Sequence, residues 1–205
     1  MSPIRIVLPR GVRFARPGEM SVPIPDDVVW GSEADIASGV IVQPGRPPAF
    51  EVYAEANVDA PKLWPLFEAL VRALLPSIAA PLIGFKGEEP SKGHYTDRDL
   101  ALAEFRPFRD ALENDGFLHF GMIFQHNGVT EEVYVEPAKY LKVWSNRPDV
   151  LRAVFAQFGI SEVQKLSFLD EFPLVTDAIP FQGASPGYAR VLEALQAAFA
   201  ALPQR

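Results

Sequence analysis

Hydrophobic and polar residues alternate along residues 117–136, and the pattern is centred on Asn127–Gly128. Asn-Gly is the strongest short-range signal for a two-residue β-turn, because both positions of a type I′ turn need a positive φ angle. A turn at this point pairs His126 with Val129 and sets the register of every pair further from it. The sequence therefore predicts a β-hairpin over residues 117–136.

That register divides the hairpin into an apolar face and a polar face. The apolar face is expected to pack on helices, because almost every side chain on it is hydrophobic. On the polar face Tyr134 lies opposite Gly121, where it is expected to cover the backbone gap beside a strand glycine. The pairs predicted on the polar face are Gln125–Thr130, Ile123–Glu132, Gly121–Tyr134 and His119–Glu136.

Other hydrophobic patterns predict further strands and helices. Residues 50–58 alternate between apolar and polar, as expected for a strand with one face in water. Apolar residues at helical spacing predict four helices, whose ends are placed by capping and breaking residues. The shorter strand candidates are residues 4–8, 28–30, 38–43, 82–85 and 139–144. The predicted helix starts are Asp59, Thr96, Asn146 and Ser185, with Pro107 as a break and Gly159 as a stop.

Strands and helices are interleaved in this reading without strict βαβ alternation. Such an order favours an antiparallel sheet over a parallel one. We therefore predict an α+β fold, in which an antiparallel sheet with the 117–136 hairpin packs against several helices. Residues 1–205 are expected to form a single domain.

The composition excludes several classes of protein. The chain has 205 residues, of which 48% are hydrophobic, and this supplies enough apolar surface for a core. The absence of cysteine excludes a disulfide framework and a thiolate metal site. The N-terminal segment lacks the apolar core of a signal peptide, and the longest apolar stretch, residues 70–85, contains Arg72 and two prolines. We therefore expect a cytoplasmic protein that does not enter a membrane.

Negative charge is concentrated in one part of the chain. The net charge is −7, and residues 104–136 hold seven acidic residues against two arginines. Such a block repels phosphate chains, so we expect no nucleic-acid partner. An acidic segment is usually a solvated surface, and the functional alternative is a surface that meets a basic protein.

Motifs for cofactors and metals are missing. Three histidines are too few for most multi-histidine metal sites, and the HExxH, EF-hand, Walker A and GxGxxG patterns do not occur. Residues 84–95 are typical of a mobile surface loop, because Glu88 and Glu89 would repel phosphate. The three acids in residues 167–177 could hold magnesium, but a turn with buried aromatics and water-facing acids explains them better. We expect no cofactor and no metal.

One pair on the polar face has a chemical interpretation. His119 opposite Glu136 is within hydrogen-bonding reach, and a carboxylate there would raise the pKa of the imidazole and orient it as a base. The structural interpretation is an ordinary cross-strand pair. Further along, Lys142 lies between Tyr140 and Trp144, a pattern typical of an interface stripe or of aromatics that shelter a lysine stem.

Four motifs follow one another over about residues 115–180. They are a glycine-bearing hairpin and a Lys-Tyr strand in DGFLHFGMIFQHNGVTEEVYVEPAKYLKVW, a helix that ends at Gly-Ile in VLRAVFAQFGI, and an acid–Phe–Pro turn in LSFLDEFP. This order resembles bacterial immunity proteins, the cytosolic antidotes of polymorphic-toxin and contact-dependent growth inhibition systems. The resemblance implies a protein that does no chemistry and binds a toxin domain, in many cases a basic nuclease, to block its active site.

The leading prediction is therefore a binding protein that neutralises a cognate, basic toxin domain. The acidic segment is expected to steer the partner, and aromatic residues are expected to anchor it. One alternative is an enzyme that uses His119 and Glu136, and another is a structural or assembly protein. The predicted partner-binding residues are Asp110, Glu113, Asp115, Glu131, Glu132, Tyr134, Glu136, Tyr140 and Trp144.

Overall fold

Ten strands form two antiparallel sheets in the computed structural model, which describes residues 6–19, 29–32, 35–179 and 187–205. In the larger sheet the strand order is β2-β3-β9-β8-β7-β4-β5, with β6 beside β4, and β1 pairs with β10 in the smaller one. The strands are β1 (Val12–Phe14), β2 (Gly39–Arg46), β3 (Phe50–Asn57), β4 (Ile78–Phe85), β5 (Ser91–Lys92), β6 (Thr96–Asp97), β7 (Leu118–His126), β8 (Val129–Val135), β9 (Leu141–Ser145) and β10 (Leu174–Thr176).

The predicted hairpin is confirmed as β7 and β8. Its turn residues Asn127 and Gly128 have φ angles of 49° and 81°, as a type I′ turn requires. The ladder runs in the predicted register from the pair nearest the turn, His126–Val129, outward to Phe120–Val135. Local turn chemistry alone was sufficient to fix which side chains share a face.

One face of the larger sheet packs against the helices in a single apolar cluster. At its centre the rings of Phe67, Phe105 and Phe120 are fully buried, and the centroids of Phe67 and Phe120 lie 4.9 Å apart. This arrangement confirms the predicted α+β fold. Among the described residues, no helix has the length and apolar character needed to cross a membrane. The helices are α1 (Ala60–Leu74), α2 (Arg98–Phe105), α3 (Arg109–Asn114), α4 (Pro148–Gln157) and α5 (Tyr188–Ala201).

The predicted helix starts lie within two residues of the observed ones where they can be compared, but the capping contacts differ. Asp59 occupies the N-cap position of α1, yet its carboxylate accepts a hydrogen bond from the N–H of Val7 (3.1 Å) rather than from a backbone N–H of its own helix. Asp97, and not Thr96, caps α2, because its carboxylate accepts from two N–H groups of the first turn at 2.9 and 3.1 Å.

Helix breaks follow the prediction more closely than helix caps. Pro107 lies in a short 3-10 turn, Arg106–Phe108, which separates α2 from α3. Gly159 follows α4 with a φ angle of 69°, the left-handed conformation expected at that position.

Asn146 does not cap α4, because its side-chain amide donates to two backbone carbonyls at 3.1 Å. The predicted start of the last helix at Ser185 lies outside the described residues.

The short strand candidates are confirmed in part. Residues 38–43, 82–85 and 139–144 overlap β2, β4 and β9. Residues 6–8 and 29–30 are not in strands, and the rest of those two candidates lies outside the described residues. A run of three to five apolar residues is too short to show a strand period, so this error is expected.

The other face of the larger sheet is only partly covered. Toward β2 and β9, Ile36, Tyr140, Phe168 and Leu169 form a second apolar cluster that packs on it. Beside this cluster, polar side chains of β7, β8 and β9 line a cavity instead of meeting a helix. We call the part of this face that is not packed the open face.

Candidate functional site

A cavity of about 480 Å³ lies on the open face. Side chains of β7, β8 and β9 form its floor, and the loop over residues 87–90 forms one wall. A neighbouring depression of about 430 Å³ shares Trp144 with it, and another of about 350 Å³ shares Glu136 and Pro137. Because the three spaces share side chains, they are adjacent, and we call them together the open-face groove.

Glu132 lies on the floor of the cavity, between its cross-strand neighbours Ile123 on β7 and Trp144 on β9. Burial raises the pKa of Glu132 to about 7, with Lys92 opposing the rise and Glu136 adding to it. Among the described residues, none donates a hydrogen bond to the Glu132 carboxylate. Partial burial without a donor costs free energy, so this carboxylate would be stabilised by an added cation.

Glu136 is already paired. Its carboxylate accepts a hydrogen bond from the Lys142 ammonium at 2.6 Å, and both side chains are about one-fifth exposed. The same ammonium lies 5.3 Å from the ring centre of Tyr140. Lys142 is therefore held by Glu136 and by an aromatic face, and it does not neutralise Glu132.

The charges that line the cavity are mostly negative. Two glutamates come from the 87–90 loop and two from β8 or its end, against a single lysine from β9. That lysine is in the ion pair described above, so the cavity holds an excess of carboxylates. The four acids are Glu88, Glu89, Glu132 and Glu136.

His119 forms part of the cavity wall and is paired with Tyr134. Only 3% of His119 is exposed, and its Nδ1 contacts the Tyr134 hydroxyl. Its Nε2 is buried and has no hydrogen-bond partner of good geometry among the described residues. The ring packs so closely on the backbone of Gly84 that a Cβ there would lie 2.7 Å from Nε2. The imidazole is thus fixed in place.

The predicted hydrogen bond between His119 and Glu136 is not formed. The β7–β8 ladder ends one pair earlier, at Phe120–Val135, and the Glu136 carboxylate pairs with Lys142. Burial lowers the pKa of His119 and outweighs the upward effect of the Glu136 charge. The imidazole contacts a tyrosine instead of a carboxylate, so the predicted acid–base pair is not assembled.

The acidic block does not form one solvated surface. Glu113, Asp115 and Glu131 are buried, and each carboxylate accepts hydrogen bonds from the backbone of a neighbouring segment. Asp115, which is 2% exposed, binds the N–H groups of Phe117 and Ile179 at 2.9 and 3.1 Å. The expectation that these three acids face water is therefore corrected: they connect elements within the fold.

The remaining predicted acids lie in different places. Asp110, on α3, is exposed and forms an ion pair with Arg10 at 2.6 Å. It is not among the residues that line the groove. Glu132 and Glu136 are the two acids of the predicted surface that the fold brings together in the cavity.

The three predicted aromatic anchors differ in how much surface they present. Tyr134 and Tyr140 are buried, and the Tyr140 hydroxyl donates to Asp170 at 2.7 Å. Trp144 is only partly buried and lines both the cavity and the depression beside it. The expectation of exposed tyrosines is therefore wrong, and Trp144 remains as the accessible aromatic residue of the three.

Sequence reasoning missed Tyr53 and the acids of the 87–90 loop. Tyr53 on β3 lies opposite Trp144, with ring centroids 5.1 Å apart, and its hydroxyl donates to Glu55 at 2.6 Å. The alternation of residues 50–58 places Tyr53 and Glu55 on one face, but it does not show which strand lies beside them. The loop glutamates carry no sequence signal that places them above β8.

No group of three or more His, Cys, Asp or Glu side chains suited to a metal ion occurs in the described ranges. The depressions beside the cavity contain Asp170 and the cations Arg46 and Lys86, so the negative charge is concentrated at the centre of the groove. Comparison with known proteins finds no family model, no curated protein and no solved structure that matches this chain.

Proposed function

We propose that the protein binds a basic protein domain through the open-face groove, and that it serves as an immunity protein against a bacterial toxin. The observation that carries the proposal is the charge of the cavity. Four carboxylates line it against one lysine, and that lysine is paired with Glu136. The cavity is therefore complementary to a cationic surface.

Charge concentrated in a recess favours rapid capture of an oppositely charged partner. Low-dielectric walls focus the field of the carboxylates, which raises the association rate and makes it sensitive to salt. An antidote must reach its toxin before the toxin acts, so a fast association step suits this role. The net charge of −7 adds a long-range attraction between the whole protein and a basic partner.

An aromatic pair beside the carboxylates provides apolar contact area. Trp144 and Tyr53 are both partly buried and lie against each other on neighbouring strands. Tryptophan and tyrosine at the centre of an interface contribute a large part of the binding free energy in many complexes. The groove thus combines a charged recess with an aromatic surface, which is typical of a protein-binding site.

The immunity role is supported by the resemblance of residues 115–180 and by the chemistry of the groove. Many toxin domains of these systems are nucleases, and nucleases carry basic surfaces that bind phosphate. The enzymatic alternative has less support, because His119 is buried and Glu136 is paired with Lys142 rather than with His119. Binding without chemistry is therefore the function that the geometry favours.

The test is protection of a bacterial host. Toxin domains encoded beside the gene for this chain are expressed with and without the chain, and growth and complex formation are measured. We expect one of them to be neutralised in a stable complex that weakens with salt. The double variant Glu132→Lys/Trp144→Ala is expected to lose protection, because it removes the charge and the aromatic contact together.

A matched control separates binding from folding. Glu193→Lys makes the same charge reversal on an exposed position of α5, on the helical side of the molecule, and is expected to protect like the wild type. If no neighbouring toxin domain binds, or if the groove variant protects as well as the wild type, the proposal is wrong. A stable homo-oligomer that buries the groove would favour the assembly alternative.

A further inference from the structure

We infer that the cavity receives the guanidinium group of a partner arginine, held between the Glu132 carboxylate and the indole of Trp144. This inference rests on the proposed function for the origin of the arginine. The cavity of about 480 Å³ is open at the surface and is large enough for a long side chain to enter. The site is therefore a pocket for one anchoring residue within a wider interface.

The first argument is the state of Glu132. Among the described residues, its carboxylate has no donor, although it lies on the floor of the cavity and is partly removed from water. A carboxylate can accept a bidentate pair of hydrogen bonds from a guanidinium group, and such charge-assisted bonds are stronger than neutral ones. An arginine would therefore satisfy the one acid on the cavity floor that the fold leaves without a donor.

The second argument is the aromatic wall. Trp144 lies directly across the strand pair from Glu132, and its other neighbour is Tyr53. A planar guanidinium group stacks on an indole ring and keeps its hydrogen-bonding edge free for a carboxylate. The compact ammonium group of lysine does not make both contacts as well, so the geometry favours arginine.

The third argument is the charge around Glu132. The loop acids Glu88 and Glu89 and the carboxylate of Glu136 line the same cavity, and its one ammonium group, that of Lys142, is paired with Glu136. A guanidinium group that enters the cavity is therefore attracted by several carboxylates at once.

Binding should release a proton from Glu132. An ionised carboxylate attracts the guanidinium group and a protonated one does not, so affinity rises as the pH passes through the raised pKa of about 7. At about pH 6 only a tenth or so of Glu132 is ionised, so binding is expected to be about tenfold weaker than at about pH 8. The charged and titratable groups around Glu132 are Lys92, Glu136, Lys142, Tyr134, His119, Glu88 and Glu89.

The test uses N-acetyl-arginine methylamide as the probe and NMR chemical shifts of the protein as the readout. We expect the Trp144 indole N–H signal to shift on titration, with binding about tenfold weaker in Glu132→Gln. The neutral, nearly isosteric N-acetyl-citrulline methylamide is expected not to bind. Glu193→Gln, an exposed change on α5, is expected to bind the probe like the wild type.

Two outcomes overturn the inference. They are equal binding of the citrulline probe, and binding of the arginine probe that Glu132→Gln does not weaken. Glu132→Gln removes a charge without changing the shape of the side chain, and an unchanged near-ultraviolet circular dichroism spectrum verifies its fold. If Glu132→Gln still binds and neutralises a toxin like the wild type, the pocket inference fails while the proposed function stands. If the arginine probe binds but no protein partner is found, the pocket is supported and the proposed function fails.

Discussion

Glu131 and Glu132 are adjacent on β8, and their carboxylates lie on opposite faces of the sheet. Glu131 is buried toward the helices, where it accepts a hydrogen bond from the N–H of Asn146 at 2.8 Å. Glu132 lines the cavity of the open face and has no donor among the described residues. Glu131 therefore has a structural role and Glu132 faces the candidate site, and separate substitutions can test this difference.

Glu131→Ala should lower the free energy of unfolding, whereas Glu132→Ala should not. Loss of Glu131 leaves the N–H of Asn146, which is partly buried, without its acceptor, at a cost of about 1 to 3 kcal/mol. Loss of Glu132 removes a carboxylate that the fold does not satisfy. Urea denaturation of both variants at neutral pH measures the difference. Equal destabilisation by the two substitutions would contradict the assignment of opposite roles.

Glu132→Gln should change how stability depends on pH. The pKa of Glu132 is raised to about 7 in the folded protein, so the folded state binds more protons than the unfolded state between the ordinary glutamate pKa and about pH 7. Stability supplied by the protonated group is therefore lost as the pH rises through that window. Relative to the wild type, Glu132→Gln should be more stable at about pH 8 by roughly 1 to 3 kcal/mol, and about equal at about pH 5.

Denaturant titrations at the two pH values give the measurement. Glu193→Gln, at an exposed position, should show no such dependence relative to the wild type. A Glu132→Gln variant whose advantage is the same at both pH values would show that the carboxylate is not desolvated.

Lys139→Met should reveal a buried lysine with the opposite pH dependence. Lys139 is 1% exposed, its ammonium donates to the carbonyl of Leu118 at 2.5 Å, and burial lowers the pKa of Lys139 to about 7. Between about pH 7 and the ordinary lysine pKa the unfolded state binds more protons, so wild-type stability rises with pH in that range. Between about pH 6 and about pH 9, the free energy of unfolding of the wild type should rise by roughly 2 to 3 kcal/mol relative to that of Lys139→Met.

The exposed Lys165 provides the matched control, because Lys165→Met makes the same change in water. The difference in free energy of unfolding between Lys165→Met and the wild type should be the same at about pH 6 and at about pH 9. If Lys139→Met behaves in the same way as the control, Lys139 retains an ordinary pKa and its charge is not buried.

Tyr134→Phe should destabilise the fold without changing the shape of the open face. The substitution removes the hydroxyl that contacts Nδ1 of His119, and it leaves this buried nitrogen without the tyrosine. We expect a loss of about 1 to 3 kcal/mol in the free energy of unfolding. Tyr53→Phe removes a hydroxyl that pairs with the partly exposed Glu55, so its cost should be smaller. A larger cost for Tyr53→Phe would contradict the buried pair.

The sequence was most informative where structure depends on neighbouring residues. Asn127 and Gly128 specify a turn that few other residue pairs can form, and the turn sets the hairpin register. The predicted packing of Tyr134 on Gly121 is confirmed, because a Cβ on Gly121 would lie 2.7 Å from the Tyr134 ring. These features needed only local geometry and the two-residue period of a strand.

The sequence was least informative about which charges face water. Glu113, Asp115 and Glu131 were counted with Glu132 and Glu136 as one acidic surface, but the first three bind backbone N–H groups inside the fold. A carboxylate that satisfies a backbone donor and one that faces solvent look the same in a sequence. Only the path of the surrounding backbone distinguishes them.

Sequence alone determined the hairpin, the two faces of β7 and β8, and the α+β class, because these follow from turn chemistry and hydrophobic period. The tertiary structure decided the site. Pairing of β3 with β9 brings Tyr53 to Trp144, and the 87–90 loop forms a wall of the cavity that Glu132 lines. These contacts join segments far apart in the chain, and their free energy depends on burial that no local pattern encodes.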